Sequence, residues 1–122
     1  MLMIYNNPQH MAEADMDALM RGHTALFKQL ADAGKVVSSA SLTVPSPATT
    51  RTVHIRQGGI PAVTDGPFLE AKEYLAGYYL VECDTVDEAI EIARQVPCGA
   101  HGAVEVRPVD EDVTSAVRGE HQ

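Results

Sequence analysis

Gly77-Tyr78-Tyr79-Leu80-Val81-Glu82-Cys83, running into Asp84-Thr85-Val86-Asp87-Glu88, is the stretch that decides the fold. The first seven residues are aromatic, branched and apolar, which is the pattern of a β-strand. Thr85 and Glu88 then stand three apart in the form of a capping box, where hydroxyl and carboxylate satisfy the free amides of a helix start. Val86, Ala89, Ile90, Ala93 and Val96 recur behind it at helical spacing, and Pro97 stops the run. A strand therefore hands over to an amphipathic helix within a few residues.

Working outward, residues 1–5 read as a short buried strand ended by Asn6-Asn7-Pro8. Over residues 12–33 the period is helical: Met16, Leu19, Met20, His23, Leu26, Phe27 and Leu30 share one face, and Gly34 terminates the helix. Residues 36–42 form an extended Val/Ser stretch closed by Pro45-Ser46-Pro47. Residues 49–56 and 60–64 flank Gln57-Gly58-Gly59 as a hairpin, and Asp65-Gly66-Pro67 breaks its second strand. Residues 68–74 read as a linker or a single helical turn. Beyond the second helix, Val104 and Val106 alternate with Glu105 and Arg107 over residues 103–107, a half-buried strand. The last dozen residues, from Asp110-Glu111-Asp112, read as a frayed polar tail.

The order β, α, β, hairpin, β, α, β predicts an α+β fold: one mainly antiparallel sheet with two helices on one face. The other face needs a cover, and a second copy of the chain is the simplest one. Val53, Ile55, Val63 and Val104 would supply the apolar surface of that homodimer.

The 122 residues suit one domain with its own core, and 45% hydrophobic against 21% charged residues excludes a disordered chain. Nine Lys+Arg against 17 Asp+Glu leave a formal charge of −8, which argues against nucleic acid and against anionic membrane surfaces as partners. No apolar run approaches the roughly 20 residues that span a bilayer, and the start lacks the pattern of an export signal. Cys83 and Cys98 form no Cys-x-x-Cys pair, so a reduced, cytoplasmic thiol state is expected.

Nucleotide, phosphate and nucleophile-elbow motifs are missing, so no cofactor is implied. The five histidines show no metal-ligand spacing, so no metal site is expected. His23 is the titratable group on an apolar helix stripe. It is either a core imidazole bonded to backbone or one that opens into a pocket, where a pKa near neutrality suits proton transfer. Asp65 is either a turn former or a carboxylate presented on the rigid Gly66-Pro67 corner to orient an imidazole or take a proton. Glu70 and Lys72 border that corner as candidate binding residues, while Glu73 reads as solvated. Tyr78 and Tyr79 point to opposite faces of their strand, one into the core and one free to offer its hydroxyl to a pocket; Tyr78 is the candidate. Cys83 and Cys98 read as buried thiols and not nucleophiles.

Asp65-Gly66-Pro67-Phe68, then Glu70-x-Lys72-Glu73, Gly77-Tyr78-Tyr79 and His101-Gly102-x-Val104-Glu105-Val106-Arg107-Pro108 occur in one order. With Met3-Ile4-Tyr5 and His23-x-x-x-Phe27, the set resembles the DGPF-type branch of the YCII-related family over residues 1–109, leaving 110–122 as the tail. The resemblance implies a ferredoxin-like antiparallel sheet with two helices on one face, pairing as a dimeric α/β barrel. It implies a cleft whose histidine and aspartate map onto His23 and Asp65. Related branches resemble lactone isomerases and enzymes that eliminate chloride from chlorinated hydroxyquinones. By that likeness, the chain would be a cofactor-free acid–base isomerase or lyase acting on a small organic acid, lactone or phenol. The other expectation is a non-catalytic small-ligand-binding or accessory protein linked to an extracytoplasmic-function sigma factor.

Overall fold

A computed structural model describes residues 1–8, 15–55, 58–69, 72–98 and 102–120. Along them run β1 (Leu2–Asn6), α1 (Met16–Asp32), β2 (Val36–Ser41), β3 (Arg51–His54) and β4 (Ala62–Asp65), then β5 (Tyr74–Val81), α2 (Val86–Arg94), β6 (Ala103–Val106) and α3 (Glu111–Arg118). Four strands form one sheet in the order β2–β5–β1–β6, with every neighbouring pair antiparallel. β1 and β2, joined through α1, lie on either side of β5. This order is consistent with the ferredoxin-like arrangement, a split β-α-β.

Local chemistry explains the helix starts. Asp15 caps α1 by accepting from the Ala18 amide at 3.0 Å, and Thr85 Oγ1 caps α2 by accepting from the Glu88 amide at 3.1 Å. Glu88 reaches back to the Asp84 amide at 3.2 Å, so the reciprocal half of the box closes one residue earlier than the usual pattern. Lys35 pairs with the same Glu88 carboxylate, which holds its pKa below the ordinary value. The helix that begins on residue 16 falls within the predicted 12–33, although residues 12–14 lie outside the described ones.

The core is a single cluster. Leu2, Ile4 and Tyr79 from the sheet meet Leu26 and Leu30 of α1 and Ala89, Ile92 and Val96 from α2 and its exit. Register explains who faces whom: Leu2 stands opposite Tyr79 and Val106, and Ile4 opposite Gly77 and Val104. One residue on, Met3 stands opposite Tyr78 and Glu105, so these side chains take the other face. Between Ile4 and Tyr5 the register slips at a bulge, which brings Tyr74 opposite the buried Asn6 and so onto the helix-facing side.

Two glycines allow close approaches. A Cβ on Gly77 would lie 2.5 Å from the Ala40 carbonyl oxygen, so β2 can cross β5 only because that atom is missing. A Cβ on Gly22 would lie 2.6 Å from Cγ of Pro97, so α1 accepts the chain leaving α2 against its own backbone.

Several expectations need correction. The β3–β4 hairpin is a separate two-stranded sheet and not part of the main one. Val53 and Val63 pair on it and both are exposed, as is Ile55. Val104 packs toward the helices, so it is no part of an open face; its register with Ile4 decides this. β5 begins three residues earlier than expected, because Tyr74 and Leu75 still pair with β1 and the Ala76 carbonyl accepts from the Leu42 amide just past β2. The tail also forms a helix, so there are three helices among the described residues and not two. Asp110 caps α3 and Gly119 ends it with φ 70°, yet none of its residues is buried. Its caps support it without a packed seam.

Candidate functional site

His23 sits on the inward side of α1, half-buried, one residue beyond Gly22. The two inner turns of that helix place it over β5, where its Nδ1 lies 2.7 Å from the Tyr79 hydroxyl. The rings stack with centroids 5.9 Å apart and an interplanar angle of 18°. Tyr79 is 4% exposed, so its hydroxyl needs an internal partner, and His23 supplies it. Burial lowers the His23 pKa from its ordinary 6.5, while the Pro97 carbonyl, brought in over Gly22, opposes that shift. Burial pushes the Tyr79 phenol up. A neutral imidazole has one N–H. Given to the Pro97 carbonyl, which can only accept, it leaves Nδ1 to accept from the Tyr79 O–H.

The tyrosine expected in a pocket was Tyr78, yet Tyr79 is the one bonded to His23. Tyr78 lies on the opposite face beside Met3. Alternation alone separates the two tyrosines without saying which of them faces the helices. Only the pairing with Leu2 decides that.

Asp65 ends β4 directly opposite Arg51, and its carboxylate accepts from Arg51 Nε at 3.1 Å. Its side chain is 69% exposed. Gly66 follows with φ 95°, and both of its backbone groups are held: its amide donates to the Thr50 carbonyl at 2.8 Å, and its own carbonyl accepts from Thr52 Oγ1 at 2.7 Å. The corner is thus rigid for local reasons. No hydrogen bond or ion pair joins His23 to Asp65 among the described residues. Pro67, next to the corner, shares a hollow with Tyr74, and Tyr74 lies five residues along β5 from the partner of His23.

The corner has a different neighbour. Pro67 and Leu69 line a hollow of ≈ 220 Å³ with Pro8, Val44, Pro45, Glu73 and Tyr74. Five walls are apolar. Glu73 and Tyr74 are the polar ones, and neither the carboxylate nor the phenol has a hydrogen bond or ion pair among the described residues. Lys72 is exposed and does not line the hollow, and Glu70 lies outside the described residues. Glu73 is exposed, as expected of a solvated charge, and also borders the hollow, while Tyr74 is a lining residue that the sequence did not single out. The signal was three prolines, Pro8, Pro45 and Pro67, which converge here.

A wider hollow of ≈ 370 Å³ runs between α2 and β6, lined by Ile90, Ala93, Val96, Cys98 and Val104 among others. Its charged residue, Arg94, is already paired with Glu91 at 3.2 Å. Neither cysteine is disulfide-bonded, and burial with the neighbouring Glu88 pushes the Cys83 thiol up, away from reactive thiolate. No helix among the described residues is long and apolar enough to cross a membrane. Nor does any group of three His, Cys, Asp or Glu side chains among them converge as a metal site.

The model of the YCII-related domain matches residues 1–111, nearly the whole described chain. The chain belongs to the YCII-related family. It is also 38% identical over 95 residues to an uncharacterized protein of Rhizobium meliloti (strain 1021), covering 76% of this chain and 74% of that protein. The YCII-related match spans β1 to β6, so the hollow and the His23–Tyr79 pair both lie inside the family domain.

Proposed function

We propose that this YCII-related chain is a cytoplasmic, homodimeric small-molecule-binding protein whose site is the hollow at the Asp65-Gly66-Pro67 corner. The observation that carries this reading is the contrast in polar partners. Asp65 is tied to Arg51 and His23 to Tyr79, whereas Glu73 and Tyr74 line an apolar hollow and neither has a hydrogen bond or ion pair among the described residues. Small-molecule sites have this make-up: apolar walls with a few polar groups left to orient the guest. The rigid corner serves as wall, which explains why glycine and proline follow the aspartate.

The dimer completes the reading. Met3, Tyr5, Leu75, Tyr78 and Leu80 share the sheet face turned away from the helices, and no fully buried residue lies on it. A second copy packed sheet to sheet would cover that face as an α/β barrel, with Tyr78 inside. Light scattering behind size exclusion at micromolar concentration is expected to give twice the 13.1 kDa chain mass. A clean monomer overturns the barrel.

A second reading keeps the chemistry on His23, as base toward a small organic acid, lactone or phenol, with Asp65 assisting from the partner protomer. Its support is the lowered pKa of a half-buried ring, which keeps the imidazole neutral and able to take a proton near pH 7. To act, Nδ1 must first release Tyr79. A fragment screen by NMR separates the readings. Shifts gathered on Leu69, Glu73 and Tyr74 support the hollow, and shifts gathered on His23 with turnover support the base.

A further inference from the structure

We propose that the hollow at the Asp65-Gly66-Pro67 corner selects a small organic ammonium, its charge resting on Glu73 and its apolar body lying against Pro8, Pro45 and Pro67. This rests on the reading of the hollow as the ligand site. Among the described residues, Glu73 is the charged one on its walls, and no cation lines it to neutralise that carboxylate. Lys72, the neighbour in sequence, is exposed and does not line the hollow, and Arg51 is occupied by Asp65. An anionic guest would therefore enter a site that offers it only a like charge, on a chain that already carries −8.

An ammonium meets the opposite situation. It gains a charge-assisted hydrogen bond to Glu73, and the free Tyr74 hydroxyl can accept a second N–H while the phenol ring attracts the cation through its face. The volume of ≈ 220 Å³ sets the size of the body. An apolar cavity of about 150 Å³ holds one benzene, so one ring with a short arm fits here. The prolines and Leu69 give that ring flat, rigid walls that lose little entropy on contact. The preference runs against the organic acids and phenols expected from the family resemblance. The reason is Glu73, which such substrates would have to face.

The test uses the full chain at low ionic strength and three one-ring probes of matched size, followed by NMR titration: benzylammonium, benzyl alcohol and phenylacetate. Benzylammonium is expected to bind about fivefold tighter than benzyl alcohol, the gain of one partly exposed ion pair, with phenylacetate weakest. Raising the salt should erode the benzylammonium advantage and leave benzyl alcohol unchanged. Glu73→Gln should abolish the preference while benzyl alcohol still binds; Glu73 is exposed, so the fold has no stake in it. Equal binding of all three probes at Leu69 and Tyr74, or phenylacetate the tightest, overturns the ammonium proposal and keeps the hollow as a site. Shifts confined to residues outside the hollow, for every probe, overturn the site itself.

Discussion

Replacing Tyr79 by phenylalanine removes one oxygen and leaves the ring stacked on His23 at 5.9 Å, so packing in the core is conserved. What is lost is the 2.7 Å bond to Nδ1. A neutral hydrogen bond contributes about 0.5–1.5 kcal/mol net, and stranding a buried partner raises the loss to about 1–3 kcal/mol. The phenol is 4% exposed, but His23 is only half-buried and water can reach its nitrogen in place of the hydroxyl. The expected destabilisation is therefore about 1 kcal/mol, or about 4 °C in Tm for a chain of this length. Urea unfolding gives the first number and thermal unfolding the second. The Tyr79 O–H donates to the neutral ring and so favours it, which means the variant imidazole should titrate higher than the parent, toward 6.5. A stability change within about 0.3 kcal/mol together with an unmoved His23 titration would refute the bond and the tautomer built on it.

Gly22→Ala pits two effects against each other. Alanine gains about 1 kcal/mol of helix propensity, but its Cβ would meet Pro97 Cγ at 2.6 Å, and overpacking of that kind costs about 1–3 kcal/mol. Net destabilisation by about 1 kcal/mol is expected in chemical unfolding, and a gain in stability would mean that Pro97 is not seated on α1. Asp65→Asn breaks a pair whose two sides are more than half exposed, so the melt should drop by less than about 1 kcal/mol in equivalent stability, with hollow binding of benzyl alcohol unchanged. Acid should weaken the fold through His23. Its native pKa is depressed, so the unfolded chain takes the proton first, and the contribution is complete above about pH 6.5 and lost as pH falls through the native value. Stability measured against pH should show a shallower loss below that point in His23→Gln than in the parent.

Secondary structure was largely legible because its signals are local. The spacing of Leu19, His23, Leu26 and Leu30, the stop at Gly34, and the Thr85 cap with Glu88 three residues on are all written within a turn or two of the residues they govern. The resemblance to the YCII-related family was legible for the same reason, since its motifs are ordered short segments. The α3 helix was missed because its composition is polar and its support comes from Asp110 and Gly119, not from an apolar stripe that packs. The exposed hairpin was read as part of one sheet because strand periodicity says nothing about which strand a strand will pair with.

What only the tertiary structure decided is which side chains meet. The sequence by itself placed Tyr78 and Tyr79 on opposite faces and put His23 on the inward stripe, yet the pair that forms is set by β1 register, Leu2 against Tyr79. It marked Asp65-Gly66-Pro67 as a corner. That Pro67 of the corner closes a hollow with Pro8, Pro45, Glu73 and Tyr74 follows from segments brought together across the fold. A bulge between Ile4 and Tyr5 even reverses the alternation that would have turned Tyr74 to the other face. Periodicity is a property of neighbours along the chain, whereas a site is a property of neighbours in space, and the register and bulges that join the two are fixed by long-range packing.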